Sequence, residues 1–129
     1  MRLAGRQLAI MNVLWESGEA SVSQIQSHLR IDPPLAYSTV STVLSRMEQK
    51  GLVAHRSEDR QYIYRAAVSR DEAGQTMIGE IVRRICQGSP AQLVNHLLET
   101  DQVSATELRR IKELIEEHES RLKKRSPKR

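Results

Sequence analysis

The first clear pattern in the chain is a set of apolar residues spaced three or four apart. These residues are Leu8, Met11, Leu14 and Trp15. Residues that repeat at this interval share one face of an α-helix, so the spacing predicts a helix over residues 7–15. Gly18 follows where glycine commonly ends a helix, because glycine adopts the left-handed backbone conformation without strain.

A second, shorter helix is predicted over residues 24–30. The segment at 20–23 before it is long enough only for a bridging strand. Ser21 and Gln24 stand three apart, which is the spacing of a capping box at a helix N-terminus. The Asp-Pro-Pro sequence at 32–34 breaks this helix, because proline lacks an N–H donor and restricts the residue before it.

A third helix is predicted over residues 36–50, with Gly51 at its end. Its apolar face consists of Val40, Val43, Leu44 and Met47. The opposite face consists of Ser38, Thr39, Ser41, Thr42, Ser45, Arg46 and Gln49. Short hydroxyl side chains let a helix lie close to a groove while donating hydrogen bonds, whereas an ordinary surface helix carries Glu and Lys pairs. This face favours a DNA recognition helix, although a merely solvated polar face stays open from this helix alone.

Two β-like runs follow at residues 52–56 and 62–66, with a five-residue polar connection at 57–61. They predict a β-hairpin. Three helices and then a hairpin are the order of a winged helix-turn-helix, and this order favours DNA binding more than any single element does. Positive charge on or beside the hairpin comes from Arg56, Arg60 and Arg65. We expect contact with phosphate there.

Three more helices are predicted after Arg70. One covers about residues 71–87, one begins at Ser89-Pro90, and one begins at the capping box Ser104–Glu107. Their apolar stripes need burial, but the segment is too short to make a generous core alone. We therefore predict that it packs against a second copy of the chain through Met77, Ile81, Ile85, Leu93, Leu97, Leu108, Ile111 and Ile115. The alternative is that these helices fold back on the N-terminal domain.

Charge divides the chain near the same place. Residues 1–70 hold nine basic and six acidic side chains, residues 71–120 hold five and ten, and residues 121–129 hold six and none. The first part can approach a polyanion, whereas the second would be repelled by one. We predict a mainly α (α+β) fold. It consists of a winged helix-turn-helix DNA-binding domain over 1–70, a three-helix dimerisation domain over 71–122 and a basic disordered tail over 123–129.

No motif in the sequence indicates an enzyme, a metal site or a cofactor. A glycine-rich phosphate loop, paired catalytic carboxylates and a nucleophile motif are all missing, and the four histidines lack the neighbours of a zinc site. Cys86, the single cysteine, is expected to be a packing residue and fits a reducing cytoplasm. No apolar run reaches the ~18 to 20 residues of a membrane span, and no signal peptide is apparent. These patterns predict a cytoplasmic protein without membrane insertion.

Several stretches of the sequence together resemble the BlaI/MecI-type penicillinase repressor family. They are Leu8–Trp15, Ser38–Met47 with Lys50–Val53, Arg60–Arg65, and Gly88–Leu98 continuing to Leu108. The likeness covers roughly residues 3 to 119. It implies a winged-helix domain, a helical dimerisation domain, and repression by blocking a promoter that contains a palindromic operator.

The resemblance also bears on how such a repressor is released. Members are commonly inactivated by proteolysis in the dimerisation region, triggered by a membrane-bound sensor protease, and others respond to copper through a cysteine-rich C-terminus. The basic end of this chain has no paired cysteines, which argues against copper sensing. The family's cleavage position falls near Asn95, which is followed by His96 where the best-known members have Phe. Ser38 and Ser41 stand where some members have basic residues, so the operator sequence cannot be carried over.

These patterns lead to one mechanism and two alternatives. A dimer would place two recognition helices in successive major grooves of duplex DNA, roughly 34–36 Å apart. Base edges and nearby phosphates would be contacted by Ser38, Thr39, Ser41, Thr42, Ser45 and Arg46, and the flanking backbone by Arg56 and Arg60. One alternative, which the acidic segment 71–120 keeps open, is a winged helix that binds a protein partner and no DNA. The other is a regulator with a small-molecule pocket between its two halves, which no cluster of convergent polar residues supports.

Overall fold

The computed structural model describes Leu3 and residues 5–125. The chain divides into two compact units, one ending at Glu80 and one beginning at Ile81. In chain order the elements are α1 (Gly5–Ser17), β1 (Glu19–Ser21), α2 (Val22–His28), α3 (Tyr37–Gln49), β2 (Val53–Glu58), β3 (Gln61–Ala66), α4 (Arg70–Arg84), α5 (Pro90–Leu98) and α6 (Ala105–Arg125). The predicted α+β winged helix-turn-helix is confirmed.

The predicted helix ends in the first unit follow from local hydrogen bonds. Gly18 has a φ of +85°, and its N–H donates to the carbonyl of Leu14 at 2.8 Å, which closes α1. Ser21 and Gln24 form both halves of the predicted capping box. The Gln24 N–H donates to Ser21 Oγ at 3.2 Å, and the Ser21 N–H donates to Gln24 Oε1 at 2.8 Å. Two N–H groups that α2 would otherwise leave unsatisfied are thereby paired.

One hydrophobic core holds the first unit together. Its fully buried side chains are Ile10, Met11 and Leu14 of α1, Ile25 of α2, and Val40, Leu44 and Met47 of α3. The sheet contributes Val53 and Tyr64. The chain has no phenylalanine, so branched aliphatic and methionine side chains fill this space. The consequence for α3 is that its apolar face is fixed inside while its polar face stays outside.

The sheet has three antiparallel strands in the order β1-β3-β2. The prediction of a five-residue connection at 57–61 is wrong, because Glu58 pairs with Gln61 and only Asp59 and Arg60 form the turn. Both turn residues have positive φ, 49° and 67°, as a two-residue type I′ hairpin requires. The polar ends of β2 and β3 project into solvent and so lack the apolar alternation by which strands are recognised. Below, the hairpin β2–β3 is called the wing.

The segment after the wing is tied back to the first unit. Trp15 Nε1 donates to the carbonyl of Val68 at 2.9 Å, and the Arg70 guanidinium lies 5.4 Å from the centroid of the indole ring. Ala73 is buried and Met77 packs against the same core. The first unit therefore extends ten residues beyond the expected boundary at residue 70, because the start of α4 belongs to its core.

In the second unit, capping residues again set the helix starts. Ser89 Oγ accepts from the Gln92 N–H at 3.4 Å, and Ser104 Oγ accepts from the Glu107 N–H at 3.1 Å. Helix α4 stops at Arg84, before the expected Gln87, because Gln87 and Gly88 both have positive φ. None of the side chains of α5 or α6 is buried.

The expectation of a disordered tail beginning at residue 123 is corrected by α6. This helix continues through Lys123 and Lys124 to Arg125, and residues 126–129 lie outside the described residues. Basic side chains in the last turn interact favourably with the negative end of the helix dipole. In the described part of the chain, no helix is long and apolar enough to cross a membrane.

Candidate DNA-binding surface

The outer face of α3 is the polar surface that the sequence predicted. Ser38, Thr42, Ser45 and Arg46 are exposed, and Thr39 and Ser41 are partly exposed. Val40, Leu44 and Met47 on the opposite face have no accessible surface. A helix anchored so firmly by one face presents the other as a rigid row of short hydroxyl groups beside one arginine. Such a row can enter a DNA major groove closely and donate hydrogen bonds to base edges.

The two wing arginines predicted to contact the DNA backbone have different surroundings. Arg60 is exposed at the turn and lines a groove together with Ser41 of α3. The Arg56 guanidinium bonds instead to two carboxylates. Nε and Nη2 donate to Glu19 at 3.1 and 3.0 Å, and Nη1 donates to Glu58. Because β3 lies between β1 and β2, this arginine clamps the two outer strands, and its role as a phosphate contact stays a prediction.

The clamp shifts the protonation of its members. The hydrogen bond from Arg56 holds the pKa of Glu19 below its ordinary value of 4.5, with smaller effects of the Arg56 and Arg65 charges. The hydrogen bonds to Glu19 and Glu58 raise the pKa of Arg56 further above its ordinary range. The same principle acts at the start of α4, where the Ser69 N–H, which donates to Glu72 at 2.8 Å, lowers the pKa of that carboxyl.

These shifts predict acid sensitivity of the wing. A carboxyl whose pKa is lowered by folding stabilises the folded state above its unfolded pKa of about 4.5, and that contribution is lost as the pH falls through the folded value. We expect the melting temperature of the wild type to fall below pH 4.5 and that of Glu19→Gln to fall less steeply there. Arg56→Gln, which removes the guanidinium and its positive charge, should flatten the same region. Parallel melting curves against pH for all three proteins would contradict the clamp.

A cluster of rings joins the end of α3 to the wing. His55 Nδ1 lies 2.6 Å from Glu48 Oε1, and the His55 ring stacks on Tyr62 with centroids 4.0 Å apart. Tyr64 lies beneath them, 5.5 Å from His55. Burial raises the pKa of the Tyr64 hydroxyl, and the charge of Glu48 and the neighbouring Tyr62 and Tyr37 raise it further. The cluster therefore connects the end of α3 to both strands of the wing.

The residues of this cluster and Glu19 were not among the predicted site residues. Tyr62 and Tyr64 stand two apart in one strand, so they share a face of the sheet, and His55 lies on the strand paired with them. The two-residue spacing of the tyrosines was visible in the sequence. The pairing of Glu19 with Arg56 was not, since 37 positions separate them. Ser69 and Glu72 form a capping box that the spacing alone would have indicated.

The predicted dimerisation residues lie mostly on exposed apolar surface. Ile81, Ile85, Leu97, Leu108 and Ile115 are exposed, with Ile85 reaching 66%, and Leu93 and Ile111 are partly exposed. Met77 differs from the others because it packs on the core of the first unit. Asn95 and His96, the predicted cleavage position, are exposed on α5. Within the described residues, no group of histidine, cysteine and acidic side chains is arranged to hold a metal ion.

Comparison with known proteins adds the decisive observation. The sequence profile of the penicillinase repressor family matches residues 3–117. The chain belongs to this family. It is 24% identical to the penicillinase repressor of Bacillus licheniformis over 122 residues, which cover 95% of each chain. It is also 33% identical to the transcriptional regulator BlaI of Mycobacterium tuberculosis over 100 residues, 76% of this chain and 72% of that one.

A solved structure supports the fold. A MarR family protein from Bacillus stearothermophilus superposes with a TM-score of 0.51 at 19% identity, over 95% of this chain and 76% of that one. At this identity the likeness concerns the fold alone. As a member of the penicillinase repressor family, the chain is a DNA-binding transcriptional repressor and not an enzyme.

Proposed function

We propose that this penicillinase repressor family protein acts as a homodimer that binds a palindromic operator and blocks access to the promoter. The observation that carries the proposal is the rigid polar face of α3 beside the arginine-bearing turn of the wing. Thr42, Ser45 and Arg46 would contact base edges, and Arg60 would hold the backbone alongside. The first seventy residues carry the excess of basic over acidic side chains that approach to a polyanion requires.

Dimerisation is supported by the surface of the second unit. Its helices α5 and α6 carry large apolar side chains that are 38–51% exposed: Val94, Leu97, Leu98, Leu108, Leu114, Ile115 and Leu122. So many large apolar side chains exposed on two helices indicate an interaction site. A second copy of the same chain offers a complementary surface by two-fold symmetry. Two-fold symmetry in the protein would then be matched by an operator with two inverted half-sites.

A nuclease footprint on the duplex upstream of the protein's own gene tests this function. We expect two protected half-sites related by two-fold symmetry, with centres one helical turn or a multiple of it apart, roughly 10 base pairs per turn. Protection without symmetry would contradict the dimer on a palindrome. No protection on that duplex at any protein concentration would contradict operator binding there.

We propose further that a sensor protease ends repression by cutting between Asn95 and His96. Asn95 Nδ2 donates to Glu99 Oε1 at 2.9 Å across one turn of α5. A protease needs an extended substrate, and α5 can open locally at low cost because none of its side chains is buried. Mass spectrometry of the protein from induced cells should find a fragment that ends at Asn95. An intact chain in cells that have lost repression would overturn the proposal.

A further inference from the structure

A groove separates α3 from the wing in the first unit. It has a volume of about 450 Å³ and is lined by Ser21, Val22, Ser23, Tyr37, Ser41, Arg60, Gln61 and Tyr62. Only Ser41 and Arg60 of these were expected to contact DNA. Among the described residues, the lining supplies hydroxyl groups, an amide and one cation, but no carboxylate. A lining of donors around one positive charge is suited to an anionic ligand.

Two half-exposed tyrosines stand at this groove. Tyr37 at the start of α3 is 53% exposed and Tyr62 in β3 is 52% exposed. The chain has only four aromatic residues other than histidine, and the remaining two, Trp15 and Tyr64, contribute to the core. A tyrosine combines an apolar ring with a hydroxyl donor, so it can pack on a sugar while bonding to a phosphate oxygen.

Tyr62 is held in place by side chains that begin on α3. Its ring stacks on His55 at an angle of 23°, and its centroid lies 6.3 Å from that of Tyr64, edge to face. His55 is fixed in turn by the 2.6 Å contact of Nδ1 with Glu48 of α3. These contacts restrict the ring, and a restricted ring loses less conformational entropy when it binds than a free one does.

We propose that this groove binds one sugar–phosphate segment of duplex DNA. Tyr37 and Tyr62 pack against deoxyribose and donate to phosphate, Arg60 neutralises the charge, and His55 is the positioning residue for Tyr62. The proposal rests on the proposed function and extends it by a backbone site between recognition helix and wing. Because sugar and phosphate are the same in every sequence, this site contributes affinity without sequence preference.

The test measures fluorescence anisotropy with two labelled duplexes. One is selected by the wild-type protein from a randomised pool, and the other is a scrambled version of it. Tyr62→Phe removes one hydrogen bond from each protomer and should weaken binding to both duplexes by the same factor, roughly 5-fold per protomer, and Tyr62→Ala should weaken it further. A neutral methylphosphonate placed at successive backbone positions should abolish the effect of Tyr62→Phe at one position in each half-site. If the effect persists at every position, Tyr62 does not contact phosphate.

His55 needs a readout beyond stability. His55→Gln should weaken binding in the wild-type background but not in the Tyr62→Ala background, because a positioning residue acts only through the side chain it positions. His28→Gln, an exposed histidine on α2, is the matched control and should change neither. An equal effect of His55→Gln in both backgrounds would overturn the positioning role.

This experiment distinguishes a failure of the proposed function from a failure of the groove proposal. If the wild type enriches no duplex from the randomised pool and does not retain duplex DNA at low salt, the proposed function is wrong. If the wild type binds and the Tyr37→Phe and Tyr62→Phe variants bind as tightly, only the groove proposal is wrong.

Discussion

Ile115→Asp in α6 is expected to convert the protein from a dimer to a monomer and to weaken operator binding by at least about 100-fold. Ile115 is 50% exposed on a helix without a buried side chain. Burying the exposed half of an isoleucine on association contributes roughly 1 kcal/mol per protomer, whereas an unpaired aspartate at the same place costs several kcal/mol. Separate monomers also lose the high effective concentration that links the two half-sites.

Sedimentation and anisotropy measurements check this together. Ser120→Glu adds the same charge on the polar side of α6 and should leave the dimer and its affinity unchanged. Leu97→Asp on α5, 48% exposed, is a second variant of the interface. Trp15, the single tryptophan, lies in the first unit, so its fluorescence reports whether that unit stays folded. A monomeric wild type, or dimers that survive both substitutions, would contradict dimerisation through this surface.

Arg46→Ala is expected to weaken binding to the selected duplex by about 1–3 kcal/mol, roughly 5- to 150-fold, and to relax specificity at one position of each half-site. Arg46 is exposed on α3, in the turn after Thr42. An arginine can bond to a guanine edge with two donors, so its loss affects one sequence more than others. Arg60→Ala should instead weaken all sequences alike and lower the salt slope by about 1 for each protomer, hence about 2 for the dimer.

Thr42→Ala should weaken binding in the same sequence-dependent way but less, because a single neutral hydrogen bond is worth roughly 1 kcal/mol. Arg109→Ala is the matched control, since Arg109 is exposed on α6. Competition with duplexes that differ at single base pairs measures the specificity. If Arg46→Ala and Thr42→Ala bind the selected duplex as tightly as the wild type, the assignment of α3 as recognition helix is wrong.

Most of the fold could be predicted from sequence signals that act over a few neighbouring residues. The helical spacing of Leu8 to Trp15 and the capping pair Ser21–Gln24 predicted elements that the structure contains, since these signals act within one turn of helix. The wing turn at Asp59-Arg60 was missed because the strands around it end in polar residues. Periodicity does not report where a solvated strand stops.

The candidate site was less predictable because its side chains meet across the fold. The polar face of α3 follows from one helix, and the position of Arg60 follows from one hairpin. The partners of Arg56 depend on β1 pairing with β3, because this pairing places Glu19 on the other side of β3 from Arg56. The contact of Glu48 with His55 likewise depends on how α3 packs against the wing. Tertiary geometry decides such contacts, and no short sequence pattern encodes them.

A salt titration of binding to the duplex upstream of the protein's gene tests the central claim most directly. A repressor that neutralises DNA phosphates should bind with an affinity whose logarithm falls linearly with the logarithm of the salt concentration, by about 0.9 for each phosphate contacted. Two wings and two recognition helices predict a steep slope together with tighter binding to that duplex than to a scrambled one. Absence of binding at low salt, or an affinity that does not change with salt, would contradict the account and favour a winged helix that binds a protein partner.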